Sequence, residues 1–383
     1  MGKDKIYYTE FPFILKYPDQ QFINYSAGII RGLINKGEIT MNFAMWRKAL
    51  SVIPDVTKEE WDKLDIISKW LIATRAAVLV MTFLSAVLAG LFALHDHFNV
   101  NPIAWIILAF GLVLSHAANN IFNDYTDFIR GVDKDNYFRT QYGPQPLASG
   151  LLTKRQHLTY FAITGLLALA CGLFLIFSHG NDLLIWLLLG LGMIFVLFYT
   201  WPMKGMALGE LAVLIVWGPL MIGGGYYVLT GVWEWNVVWA SLPYVFGVTT
   251  VIFGKHIDKR EIDKAKKIFT LPVLIGEKVS RYAVLAMMIL PYLIVVALIG
   301  VQYFTPVMLI VFLAVPQFLK VYPQFLKPRP DSCPDGFPVG QGGWPLFFAP
   351  QAFINTRTFG MWFMLGLILD VILRLVFPNF WAL

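Results

Sequence analysis

The chain has 383 residues, 57% of them hydrophobic and only 14% charged, with a mean hydropathy of +0.63. Soluble domains carry about 25% charged residues, so a soluble enzyme and a disordered chain are excluded. The apolar residues lie in blocks of about 20, the length of a membrane-crossing helix and twice that of a barrel strand; a transmembrane barrel is excluded too.

In chain order, residues 1–68 are mixed in charge and contain a capping box, Thr57-Lys-Glu-Glu60, leading into Trp61, Leu64 and Ile67. They read as an interfacial extension on the cytoplasmic membrane surface, serving either to position the chain or to dock a protein partner. Residues 69–383 form the transmembrane domain. Nine spans are expected, near Trp70 to Leu94, Pro102 to Phe122, Leu158 to Phe177, Leu183 to Thr200, Met206 to Leu229, Asn236 to Gly254, Tyr282 to Val301, Thr305 to Leu319 and Phe359 to Phe377. The fold class is therefore all-α, a polytopic membrane bundle.

Lys and Arg cluster before the first span and in alternate loops, whereas loops such as His95 to Asn101 and Gly231 to Trp235 have none. By the positive-inside rule the N-terminus and the charged loops face the cytoplasm and the C-terminus lies opposite. The net charge of +6 thus reflects topology and does not imply nucleic-acid binding. Arg374 alone falls near an outer end, four residues after Asp370, where an ion pair shelters it. Cys171 and Cys333 offer neither a disulfide framework nor zinc spacing.

The informative run ends the second span: Asn119-Asn120-Ile-Phe-Asn123-Asp124-Tyr-Thr-Asp127-Phe-Ile-Arg130-Gly-Val-Asp133. Asn120, Asn123, Asp124 and Asp127 recur every three or four residues and so share one helix face. Carboxylates and carboxamides at a membrane boundary are costly unless satisfied, which makes them functional candidates, and clustered oxygen donors suit a hard cation such as Mg²⁺. The plainer reading is a solvated helix end whose acids balance Arg130 and Lys134.

The run NDYTDFIRGVD resembles the Asp-rich signature of the UbiA superfamily of intramembrane prenyltransferases, most closely its menaquinone (1,4-dihydroxy-2-naphthoate polyprenyltransferase) branch. Phe198-Tyr-Thr-Trp-Pro-Met-Lys204, with Gly209-Glu210 and Gly225-Tyr-Tyr227, resembles a second conserved region of that branch. The resemblance covers about Trp70 to Leu319 and implies a nine-helix enzyme transferring a polyprenyl group from an isoprenoid diphosphate to an aromatic acceptor. It implies Mg²⁺ held by Asp124, Asp127 and Asp133, with Asn120 and Asn123 beside the substrate. Lys204, Arg130, Arg139 and Lys154 become candidate cationic partners of the diphosphate. Tyr199, Tyr125 and Tyr142 become candidates for stabilising a carbocation through their ring faces, the alternative for each being an interfacial anchor. Arg75, where the family often has Arg-Pro, either reaches the substrate or marks the interface.

A second polar helix end follows four spans later, Gly254-Lys255-His256-Ile-Asp258-Lys-Arg-Glu261-Ile-Asp263, continuing to Thr270-Leu-Pro-Val-Leu-Ile-Gly276. The tail fits the family's second motif, but alignment on it puts Lys259 where the first Asp belongs and leaves Asp258 one residue early. On a regular helix one residue is a rotation of about 100°, so Asp258 and Asp263 diverge. Three readings stay open: a second metal on Asp258, Glu261 or Asp263 in altered geometry; direct binding of diphosphate by Lys255 and His256; or loss of activity. Gln145 also stands where the family has Arg. The Pro-rich, aromatic segment 323–356 is a candidate lid or partner surface. The alternative to an enzyme is a non-catalytic membrane subunit that binds a quinone or isoprenoid lipid within a larger complex.

Overall fold

The computed structural model describes residues 41–132, 145–337 and 344–377. The chain divides into Met1–Phe43 and Ala44–Leu383, and the helical bundle is the second unit. Among the described residues eight helices are long and apolar enough to span a membrane: α1 (Ala76–His95), α2 (Pro102–Ile129), α3 (Lys154–Ser178), α5 (Gly209–Thr230), α6 (Trp235–Asp258), α7 (Glu277–Gly300), α8 (Pro306–Leu326) and α9 (Phe348–Val376). The short apolar helix α4 (Leu183–Phe198) completes the expected set. The chain is a multi-pass, all-helical membrane protein. Large apolar side chains left exposed on α3 and α4, among them Leu166, Phe177, Leu187 and Leu191, face where lipid replaces water as solvent.

Local chemistry sets the boundaries. Asn101 caps α2 by accepting from the Ile103 N–H at 2.9 Å, with Pro102 at the first helical position. Thr153 and Gln156 form a capping box at α3, and Asp182 accepts from Leu184 and Ile185 at the start of α4. α5 is not regular: Val216–Gly223 is a π-helical stretch containing Pro219, between α-helical turns. A missing proline N–H and a wider turn rotate the side chains there, and Trp217 is one of them. α9 starts at Phe348, ahead of the Phe359 start expected from hydropathy, because its first turns are polar but buried, as at Gln351, Asn355 and Thr356. The connection before it accordingly shortens at both ends, since α8 runs to Leu326.

The core lies among α1, α5, α6, α7, α8 and α9, where Phe92, Tyr226, Tyr244, Phe304, Phe359 and Phe363 are buried together. The bundle end around His95 is tied by polar groups: His95 bonds Asp96 at 2.6 Å, Tyr226 donates to Asp96 at 2.8 Å, and Arg374 donates to Asp370 at 3.2 Å. The Thr57 capping box forms as expected. Behind it Trp61, 2% exposed, packs with Ala117, Leu151 and Leu152, so residues from Ala49 onward already belong to the bundle's packing.

Candidate active site

α2 carries its polar face into a buried cluster. Asn119 donates to the Val196 carbonyl and Asn120 to the Thr74 carbonyl, each at 2.9 Å, which fixes this helix end against the turn entering α1 and against α4. Asp124 and Asp127 are both 1% exposed. Asp124 accepts from Arg75, and Asp127 accepts from the Lys204 ammonium at 3.2 Å to each oxygen. Arg75 has φ 54° and ψ 54°, a left-handed backbone that is strained for a residue with a side chain. That conformation ends the Ile66–Ala73 helix, starts α1 and aims the guanidinium at α2. The Oδ1 of Asn123 is buried without a hydrogen-bond partner among the described residues.

The sequence candidates separate in space. Asn120, Asn123, Arg75, Tyr199 and Lys255 line one cavity, Asp124 is tied to it through Arg75, and the Asp127–Lys204 pair lies on the turns that follow Asn123 and Tyr199. Arg130 instead lies over the Trp201 ring at 5.1 Å, and Lys154 over Phe128 at 5.6 Å, as cation–π contacts. Tyr125 stacks on His157 at 6.5 Å. Asp133, Arg139 and Tyr142 lie outside the described residues.

The second helix end has a different geometry. α6 stops at Asp258, and a separate helix, Arg260–Ala265, begins after Lys259. Asp258 accepts from the Phe348 N–H and the Ala349 N–H, each at 3.0 Å, so it caps α9 from another helix. Asp263 pairs with Lys259 at 3.4 Å, both buried. His256 bonds Glu210 through Nδ1 at 2.6 Å and clamps α6 to α5. Arg329 donates to the Pro345 carbonyl at 3.0 Å and reaches the Asp258 carbonyl at 3.4 Å, which lays the connection between α8 and α9 onto this helix end. Phe337, Trp344, Phe347 and Phe348 then pack with Phe253 and Ile257.

The cavity measures about 1160 Å³. The cavity has Arg75, Asn120, Asn123 and Lys255 at one end and Arg357 further in, next to Thr356, which packs on Gly247 of α6. It continues past Ser115, His116 and Trp217 to an apolar end with Leu108, Leu175, Ile185 and Val228, close to the opposite ends of α2, α3, α4 and α5. Three of its residues escaped the sequence reading. His116 lies four residues before Asn120 on the same helix face, a periodicity that continues the polar stripe inward. Its Nδ1 bonds Thr82 at 2.7 Å and its ring meets Trp217 edge to face at 5.4 Å. The buried Nε1 of Trp217 has no partner among the described residues. Arg357, exposed yet on the cavity wall, reads in the sequence only as a basic residue near the start of the last span, because its place on the wall depends on where α9 begins.

Residues 83–369 match the UbiA prenyltransferase family. Among curated proteins, the "UbiA prenyltransferase domain-containing protein 1 homolog" of Drosophila melanogaster is 27% identical over 222 residues, covering 57% of this chain and 59% of that protein. The "1,4-dihydroxy-2-naphthoate octaprenyltransferase" of Bacillus subtilis (strain 168) is 25% identical over 303 residues, covering 78% and 91%. The chain thus spans little more than half the length of the first of these relatives. A solved "UbiA homolog from Aeropyrum pernix K1" superposes with a TM-score of 0.55 at 18% identity, covering 76% of this chain and 96% of that one. A structure described under the biosynthesis of "Digeranylgeranylglyceryl phosphate synthase in membranes" gives a TM-score of 0.54 at 16% identity, covering 80% and 98%. With most of its length matched by one family and the same fold in these solved proteins, the chain belongs to the UbiA prenyltransferase family.

Proposed function

We propose that this chain transfers a polyprenyl group from an isoprenoid diphosphate to an aromatic acceptor, in the synthesis of a membrane quinone. The observation that carries this reading is the cavity: charged and amide groups at one end, an apolar remainder, and a reach nearly the length of the spans. A diphosphate with a long hydrocarbon tail has the same two poles. The positive-inside pattern supports a charged end that faces the cytoplasm.

The donors on α2 fit Mg²⁺: all are oxygens, two are buried carboxylates, and Asn123 Oδ1 awaits a partner. Asn120, Asn123, Asp124 and Asp127 would hold the ion, which supplies charge neutralisation of the diphosphate when bound. Arg75 and Lys204, set against these carboxylates, stabilise the charge that grows on the diphosphate as the allylic carbon–oxygen bond breaks. Tyr199 presents an aromatic ring to the cavity beside them. The acceptor takes the polar patch one turn deeper, where an oxygen on its ring satisfies the Trp217 N–H and faces His116. No nucleophilic side chain is required.

The test is transfer from radiolabelled geranylgeranyl diphosphate to 1,4-dihydroxy-2-naphthoate and a panel of other aromatic acceptors, with Mg²⁺ or with EDTA. A Mg²⁺-dependent product, lost in Asp124→Ala and Asp127→Ala, is expected. Full activity in either variant would remove the metal assignment. Diphosphate binding without any product would favour a non-catalytic lipid-binding subunit.

A further inference from the structure

We propose that the second polar helix end is a cation clamp for the diphosphate, so that this chain holds its substrate with one divalent ion plus Lys255 and Arg357 in place of a second ion. The inference rests on the diphosphate reading above and deepens it.

The carboxylates that spacing would assign to a second metal are engaged elsewhere. Both oxygens of Asp258 accept backbone N–H groups of α9. Asp263 is closed against Lys259 within its own helix turn. The Glu261 side chain is 73% exposed and pairs with Arg260.

What this helix end does present to the cavity is positive. Lys255 lines it with Arg75, Asn120 and Asn123, and Arg357 lines it further in, beside Thr356, which packs on Gly247 and Thr250 of α6. Asp258 links the two helices that carry these cations. It lies one turn after Lys255 on α6, and by capping α9 it fixes the start of the helix that carries Arg357. Two monovalent side chains supply the charge of one divalent ion, and their N–H donors match phosphate oxygens. Moving an acidic residue off the metal register and into a cap thus exchanges one kind of diphosphate contact for another.

The experiment uses the full chain in detergent with farnesyl thiodiphosphate, an analogue that resists ionisation, and Mn²⁺ as the paramagnetic ion. Bound Mn²⁺ is counted by electron paramagnetic resonance, and analogue affinity is measured by calorimetry. One Mn²⁺ per chain is expected. Lys255→Gln and Arg357→Gln should each weaken analogue binding about tenfold, the loss of one charge-assisted hydrogen bond, with the Mn²⁺ count unchanged. Asp127→Ala should abolish Mn²⁺ binding. Two Mn²⁺ per chain, falling to one in Asp263→Asn, would overturn the clamp, as would unchanged affinity in both Gln variants. Gel filtration and melting of each variant exclude misfolding as the cause of a loss. Because the readout is binding, analogue bound through the clamp by a chain that yields no product from geranylgeranyl diphosphate in the transfer assay would refute the enzyme alone, whereas no analogue binding by the wild type would refute both.

Discussion

Asp258 starts α9 from another helix, and removing its carboxylate tests that role. The first N–H groups of a helix have no partner within it, and α9 begins after Phe347, which has no capping side chain. Asp258 supplies both acceptors, at 3.0 Å each, and is 5% exposed. A hydrogen bond to a charged group contributes about 1.5–3 kcal/mol. Asp258→Ala removes two and leaves the N–H groups buried, so it should destabilise the fold by about 3 kcal/mol or more. Asp258→Asn keeps one acceptor but turns an amide donor toward the other N–H, and should fall between. Because membrane proteins often unfold irreversibly, the comparison is of apparent melting temperature at one fixed scan rate in the same detergent. The expected order is wild type, Asn, Ala. An Ala variant that melts with the wild type yet loses a bound Mn²⁺ would show that Asp258 is a ligand and that the cap is incidental.

Arg75→Ala leaves Asp124 buried without its principal counter-charge, a loss of about 3–5 kcal/mol, and Asp124→Asn in the same chain should recover much of the melting temperature while leaving transfer abolished. Trp217→Phe keeps the ring and deletes the N–H; the acceptor KM should rise about tenfold, one neutral hydrogen bond, with the diphosphate KM unchanged. Gly192 lines the cavity and nothing lies within 4 Å of where its Cβ would stand, so Gly192→Phe should shift use toward shorter diphosphates in a chain-length series. At the other membrane face, the Ile185 N–H holds the Asp182 carboxyl below its ordinary value of 3.8, helped by the Tyr227 hydroxyl and the Leu184 N–H against partial desolvation. A depressed carboxylate contributes stability above its unfolded value and loses it as pH falls through the folded one. Protection factors at Leu184 and Ile185, exchange rates taken relative to the unprotected amide at the same pH, should therefore fall below about pH 4 in the wild type and stay unchanged across that window in Asp182→Asn.

The spans were legible because hydropathy reports a single variable, burial in lipid or protein, and all nine apolar runs became helices. The first constellation was legible for a related reason: a three-to-four residue spacing of Asn and Asp survives as a face only on a regular helix, and α2 is regular through Ile129. The pairs it would make were not. Arg75 reaches Asp124 only because its backbone turns left-handed, and Lys204 reaches Asp127 from a short turn between α4 and α5, and neither conformation has a periodic signature. Arg130 and Lys154, basic residues near the same motif, found aromatic faces instead, a choice set by packing.

The second constellation shows where spacing stops being evidence. On an unbroken helix Asp258 and Asp263, five residues apart, would diverge, and a break could in principle have brought them together. The helix does break, at Lys259, but the break sends Asp258 toward the start of α9 and folds Asp263 back on Lys259. Both outcomes satisfy a buried carboxylate, as burial demands, and both depend on contacts more than eighty residues away or on a single loop torsion. The same interaction explains two departures that look separate in the sequence, the displaced acid and the long Pro-rich connection: the connection is held by Arg329 on the carbonyl of Asp258 while that residue's side chain starts α9. If the cap were restored to an ordinary N-terminal residue of α9, Asp258 would be released, and the acid would become available to the cavity end that Lys255 now lines.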